Sequence, residues 1–255
     1  MNTYGTQKRF TEKVAIITGS GLGMGRQTAL DMAAEGANIA AVDILGDHID
    51  SLQKEIETGG GQCLAIRCDI ADRQQVEAMV KKTFETFGRI DILINNAGLL
   101  IPGTIEETTD ELIDKTLAIN VKGVLYAIRA VTPIMKAQKY GRIVNVASIT
   151  GKRGDNSTIF VYGASKGAVI SLTRSTARQL GPFGITCNAI APHAVMTEMM
   201  KYWDEEKKAR MAESIPLKRL GTVEDMSNLM RFLASDEASF ITGETVNING
   251  GYYMD

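Results

Sequence analysis

Cysteine is scarce. The 255-residue chain has three, Cys63, Cys68 and Cys187, an odd number without the spacing of metal ligands. Such thiols do not build a disulfide framework and suit a reducing cytosol better than secretion, and no metal site is expected. A block of basic residues is also missing: 28 Lys and Arg stand against 30 Asp and Glu, for a net charge of −2. That balance lacks the electrostatic footprint of a nucleic-acid binder. No apolar stretch approaches the length of a membrane span, and residues 1–12 are too polar for a signal peptide. The expectation is a cytoplasmic protein with neither nucleic acid nor membrane as partner. Without repeats, low-complexity tracts or linkers, the chain reads as one catalytic domain over 13–255 behind a loose tail over 1–12.

The organising stretch is VAIITGSGLGMG, residues 14–25. A β-branched apolar run, then glycines, then a helix-forming segment predicts strand, tight turn and helix. The free N–H groups and partial positive charge of a helix start attract an anion, and glycines let a pyrophosphate approach the backbone. A glycine-rich turn without a ligand is the plain alternative. The pattern is T-G-x-x-x-G-x-G, carried by Thr18, Gly19, Gly23 and Gly25; Arg26 stands where the last glycine of G-x-G-x-x-G would fall.

Beyond it the chain alternates. Strands are expected over 38–42, 63–68, 90–94, 142–146, 185–190 and 245–248. Helices are expected over 47–58, 72–87, 109–135, 161–180 and from about 222 to 234, with an irregular segment before the last. This alternation predicts a doubly wound, parallel α/β sheet of about seven strands, helices on both faces. Ligands of such sheets sit beyond the carboxyl ends of the strands, where the strand order reverses. Thr18, Asp43, Asp69, Asn95 and Ser148 all fall there.

Asp43 ends the second strand, where an acid can accept hydrogen bonds from an adenosine ribose and repel a 2′-phosphate; a turn or helix-cap aspartate is the alternative. Tyr162 and Lys166, in YGASK, share a helix face. A phenol loses its proton near pH ~10, so acid–base work at neutrality means lowering that value by about 3, or roughly 4 kcal/mol, and a nearby ammonium acts in that direction. The same spacing at Tyr4 and Lys8 shows how weak the pair is alone. Only Tyr162 follows a strand ending in serine, at Ser148.

In order, TGSGLGMG (18–25), NNAG (95–98), Asn120 in AIN, Ser148 in VAS, YGASK (162–166) and the closing TGETVNINGG resemble the classical short-chain dehydrogenase/reductases across residues 13–251. The resemblance implies Tyr162 as general acid/base and, with Lys166, as a cofactor contact, Lys166 as holder of the nicotinamide ribose and modulator of Tyr162, and Ser148 as hydrogen-bond donor to the substrate oxygen. It implies that Asn120 orders a proton-relay water; a polar residue in a helix bend is the other reading. Gly19, Gly21, Leu22, Gly23 and Met24 would wrap the pyrophosphate. Asp43 would take the adenosine ribose, Asp69 and Ile70 the adenine, and Asn96, Ala97 and Gly98 the adenine-side ribose. Pro192, Val195 and Thr197 would contact the carboxamide. Leu22, where NADP-preferring relatives often carry a basic residue, and Asp43 agree on NAD as cofactor.

The sequence departs from the family after the sixth strand, where His193 replaces a glycine; an exposed loop histidine is the simpler reading, substrate contact the other. Lys152, Arg153 and Asn156 are expected to shape a pocket wall. A lid is expected over about 193–215, with Met199, Met200, Tyr202, Trp203 and Met211 as packing residues or the wall of an apolar pocket. Lys201, Lys207, Lys208 and Arg210, interleaved with acids, read as a solvated face. Together these predict an NAD(H)-dependent oxidoreductase of a small secondary alcohol and its ketone, cyclic or apolar, in a homotetramer. An NADPH-dependent 3-oxoacyl carrier-protein reductase and a non-enzymatic nucleotide sensor are the alternatives.

Overall fold

A computed structural model describes residues 8–154, 157–200 and 203–255; Tyr4, Asn156, Lys201, Tyr202 and the side chain of Met199 lie outside what is described. The apolar run of β1 (Val14–Thr18) is buried at every position, as the central strand of a sheet covered on both faces must be. Six more strands, β2 (Asn38–Asp43), β3 (Cys63–Arg67), β4 (Ile92–Asn95), β5 (Gly141–Val146), β6 (Ile185–Pro192) and β7 (Thr245–Ile248), complete a parallel sheet in the order β3-β2-β1-β4-β5-β6-β7. The order reverses between β1 and β4, which opens the crevice there.

The crossovers are α1 (Gly23–Ala34), α2 (Gly46–Thr58), α3 (Arg73–Phe87), α4 (Asp110–Leu117), α5 (Val124–Gln138), the short α6 (Thr150–Arg153), α7 (Phe160–Leu180), α8 (Glu205–Ser214) and α9 (Val223–Ala234). One apolar cluster carries Met79, Val131 and Val169 from α3, α5 and α7; the other carries Met32, Leu52 and Met230 from α1, α2 and α9. The helices start and stop where local chemistry directs. Asp72 accepts the N–H groups of Gln74 and Gln75 at the start of α3, Gly88 ends it with φ 74°, and Thr222 and Asp225 form a capping box on α9.

Three expectations need correction. Phe10 does not belong to a loose tail: it is buried, and Arg9 pairs with Glu35 at 2.6 Å, because the segment packs beneath the end of α1. The helix expected over 109–135 runs on to Gln138 and is broken in register by a π turn, Ala118–Gly123, that holds Asn120. The expected irregular segment before 222 contains α8, capped by Asp204 through Lys207 N–H at 2.7 Å. The stretch Asp110–Gln138 is long and apolar enough to meet a length-and-composition test for a membrane span. Its apolar face, with Ala127, Val131 and Met135, packs into the core.

Buried polar groups fix the strand ends. Asp91, fully buried, accepts Val14 N–H at 2.9 Å and the Arg89 guanidinium at 2.7 and 2.8 Å. Asn95 donates to Asn145 at 2.8 Å, which donates to Thr173 at 2.9 Å, tying β4 and β5 to α7. The three cysteines are free and buried, and burial pushes their thiols up from about 9 to about 12 for Cys63, about 11 for Cys68 and about 12 for Cys187. A raised thiol keeps its proton in the folded chain and loses it when unfolded, so this stability is intact below about pH 9 and lost as pH climbs toward 11–12. Lys166, lowered by burial to about 8, acts in the opposite sense between there and 10.5, but it is one group against three. The melting temperature is therefore expected to fall above about pH 9, and fall less in a Cys63→Ala/Cys187→Ala variant. A midpoint independent of pH in that range would contradict this.

Candidate active site

The glycine loop sits at the switch point and is shaped by contact. Gly19 has φ +65° and passes so close to the next loop that a Cβ on it would stand 2.7 Å from Ala97 Cα. Thr18 and Asn96 clamp the two loops. Thr18 Oγ1 accepts the N–H groups of Asn96 and Ala97, both at 3.1 Å, and Asn96 Nδ2 donates to the carbonyls of Thr18 and Gly19 at 3.1 and 2.9 Å. A Cβ on Gly25 would overlap the Gly19 carbonyl oxygen and Asn96 Nδ2, so α1 can start this close only with glycine there. The start of α1 has no side-chain cap and no acid in its first turn, and Leu22 before it is extended and half exposed. Its N–H groups and positive end are left for an anion.

Asp43 lies against the same loop. Its Oδ2 accepts Gly21 N–H at 2.9 Å and its Oδ1 accepts Leu45 N–H at 3.1 Å. Each oxygen keeps lone-pair capacity for a ribose hydroxyl. Arg26 points elsewhere, held by Glu55 at 2.6 Å and the His48 carbonyl at 3.2 Å. On the other side of the loop, Thr197 Cγ2 stands 3.6 Å from where a Cβ on Gly23 would be. An open glycine cradle, an uncapped helix start and a carboxylate beside them fit a dinucleotide.

The remaining residues expected at the cofactor are held as follows. Ile70 is buried, its side chain and carbonyl oxygen packed against Gly123 in the π turn. The Asn96 amide nitrogen is committed to the clamp, its Oδ1 is buried with no hydrogen-bond partner among the described residues, and Asp69 accepts Ala71 N–H at 2.9 Å. Val195 is buried and bridges to Gly221, and Pro192 closes β6, where its carbonyl accepts Ile149 N–H at 3.0 Å.

Tyr162, Lys166 and Asn120 come together beneath the loop at Gly98, and Ser148 follows the end of β5. Lys166 is buried and donates from Nζ to the Val146 carbonyl at 2.7 Å, and Nζ lies 5.8 Å from the Tyr162 ring centre. Asn120 Nδ2 donates to Leu99 O at 2.9 Å and to Ser165 Oγ at 3.0 Å, while its Oδ1 accepts Leu99 N–H at 2.7 Å. Ser165 in turn donates to the Tyr162 carbonyl at 2.7 Å. A Cβ on Gly98 would sit 3.4 Å from Lys166 Nζ and 3.5 Å from Asn120 Oδ1, so that loop closes over both. Ser148 Oγ accepts Thr150 N–H at 3.1 Å, which leaves its own hydrogen to donate. Sequence reasoning missed Ser165, although the S of YGASK was in view; its link to Asn120 spans 45 residues and no local pattern announces it.

His193 is not an exposed loop histidine. Its ring stacks on Tyr252 with centroids 3.9 Å apart and planes at 17°, and Arg153 lies over the same Tyr252 ring at 4.9 Å. Lys152 donates to Thr245 O at 3.1 Å and pairs with Asp255 at 2.8 Å. The segment expected as a pocket wall is thus tied to the C-terminal residues. In α8 the cations meet acids: Lys208 pairs with Glu205 at 2.7 Å and Arg210 with Glu206 at 2.8 Å. Met200 is buried, and Lys207 covers Trp203 at 4.3 Å.

A doubly wound sheet with this glycine loop and a buried Tyr–Lys pair defines a nicotinamide-dependent oxidoreductase. The chain belongs to the short-chain dehydrogenase/reductase family. The family described as enoyl-(acyl carrier protein) reductase matches residues 19–253. A 3-oxoacyl-[acyl-carrier-protein] reductase FabG of Staphylococcus epidermidis is 40% identical over 95% of this chain and 99% of its own, and one of Thermotoga maritima is 38% identical over 95% and 98%. The crystal structure of levodione reductase superposes with a TM-score of 0.91 at 38% identity, covering 95% of this chain and 98% of that one. That of a 3-oxoacyl-[acyl-carrier protein] reductase from Brucella melitensis gives 0.93 at 30%, covering 98% and 94%.

These relatives correct the expected substrate. A small cyclic or apolar alcohol or ketone was inferred from methionines and aromatics in the lid and from Asp43 as evidence against the carrier-protein alternative. The buried Met200 and covered Trp203 are packing, and Asp43 lies against the glycine loop, so its charge carries no information about the substrate. The cofactor's phosphate state does not identify the carbonyl that is reduced.

Proposed function

We propose that the chain reduces the 3-oxo group of an acyl thioester borne by an acyl-carrier protein, with NADH as reductant. The match to 3-oxoacyl reductases over nearly the whole of both chains supports the substrate class more than any other observation. Asp43 against the glycine loop, with Arg26 turned to Glu55, supports NADH. Gly19, Gly21, Leu22, Gly23 and Met24 would hold the pyrophosphate, Asp43 the adenosine ribose, Lys166 the nicotinamide ribose, and Thr197 the carboxamide end.

When bound, the nicotinamide supplies the hydride. Tyr162 donates its phenolic proton to the 3-oxo oxygen as negative charge grows there, and Ser148 donates a hydrogen bond to the same oxygen. The buried Lys166 ammonium beside Tyr162 favours the phenolate left behind. Asn120, anchored on Leu99 and Ser165 at the π turn, would hold the water relay that, by way of Lys166, returns a proton from solvent to the Tyr162 phenolate. The chain would work in the cytosol as a homotetramer, with the exposed Leu125 on α5 and Phe160 and Phe183 around α7 at the subunit contacts.

The purified protein is expected to oxidise NADH faster with 3-oxobutyryl carrier protein than with a cyclic ketone, and faster than NADPH at equal concentration. NADPH-only turnover would refute the cofactor assignment, and turnover confined to the cyclic ketone would refute the substrate class.

A further inference from the structure

Arg67 closes β3 and is the register partner of Asp43 in the β2–β3 ladder. Paired strands lie about 4.8 Å apart, so the two side chains emerge as close neighbours beside the glycine loop. The exposed Arg67 side chain follows the turn after Asp43: its Cδ is 3.8 Å from where a Cβ on Gly46 would stand, and the neighbouring Leu45 N–H bonds to Asp43 Oδ1. Among the described residues its guanidinium has no carboxylate or carbonyl partner. Arg26, the other arginine near the loop, is committed to Glu55 and His48.

A free guanidinium one strand from the carboxylate that faces the ribose has the chemistry of a phosphate ligand. We propose that Arg67 is a latent anchor for a 2′-phosphate on the adenosine ribose, masked in this chain by the Asp43 carboxylate beside it. This rests on the NADH reading. Removing the Asp43 charge is then enough to admit NADPH, because the compensating cation is already in place.

The test is a fluorescence titration of NADH and NADPH on the full chain and three variants: Asp43→Asn, Arg67→Ala and the double variant. Asparagine keeps an acceptor for Gly21 N–H and removes only the charge. Asp43→Asn is expected to tighten NADPH by about tenfold or more, and adding Arg67→Ala to reverse that gain, as loss of a charge-assisted hydrogen bond does. Arg67→Ala alone is expected to change the NADH dissociation constant by less than about twofold, which also reports a folded loop. Lysine at 67 restores part of the NADPH affinity. If the double variant binds NADPH as well as Asp43→Asn does, the Arg67 assignment is overturned. If the unaltered chain binds NADPH at least as tightly as NADH, the cofactor reading fails instead. Arg67 then stands if Arg67→Ala weakens NADPH in that chain, and falls if it does not.

Discussion

Tyr162→Phe is expected to lower kcat by about 100- to 10,000-fold while leaving NADH affinity nearly unchanged. The phenol oxygen is the only atom removed, and the ring remains buried on α7 beside Lys166. A loss confined to kcat identifies a group that acts in the transition state; a rise in KM with kcat unchanged would mean that Tyr162 only binds. Turnover within a few-fold of the unaltered protein would remove Tyr162 from the chemistry and leave Ser148 as the sole donor to the substrate oxygen.

Gly25→Ala separates two forces of opposite sign. Helix propensity predicts that alanine within α1 stabilises the chain by about 0.8–1.0 kcal/mol. Packing predicts the reverse, since the added methyl meets the Gly19 carbonyl and Asn96 Nδ2, the two groups that clamp the loop. Backbone and a committed amide cannot swing aside as a flexible side chain does. Overpacking of this kind costs about 1–3 kcal/mol, enough to outweigh propensity, and NADH affinity is expected to drop by at least about tenfold. Gly59→Ala, at φ −76° and with its new methyl no closer than 3.4 Å to the neighbouring Ile56 and Glu55 carbonyl oxygens, is the control expected to melt no lower than the unaltered chain. A stabilised Gly25→Ala that still binds NADH would show that α1 does not need to approach the loop this closely.

Much of this arrangement was legible because it is local or periodic. The apolar run 14–17 and the strand–helix alternation define a covered parallel sheet, and the glycines at 19, 23 and 25 mark its switch point. Tyr162 and Lys166 share a face by helical geometry alone. What was not legible depends on contacts between distant segments. Asn120 could be read as a polar residue in a helix bend, but not the π turn that forms there, because Asn120 is held by Leu99 and Ser165 from elsewhere in the chain. The resemblance implies an adenine contact at Ile70, but in the turn after β3 its side chain packs against Gly123 of the π turn. His193 looked solvated because its partner Tyr252 arrives from the far end of the sequence. The substrate was the least legible, since lid methionines satisfy packing and binding alike, and only the relatives separate the two.

The central claim is that this site delivers hydride to the 3-oxo carbon of a carrier-borne thioester. It is tested most directly with NADH deuterated at the transferable position, offered together with a 3-oxoacyl and a 2-enoyl carrier protein, the product acyl chains being read by mass spectrometry. The expected result is one deuterium at C3 of a 3-hydroxyacyl product and no labelled product from the enoyl substrate. Label appearing only in a saturated acyl chain would mean that the site reduces a carbon–carbon double bond, and would contradict the assignment of Tyr162 and Ser148 to a 3-oxo oxygen.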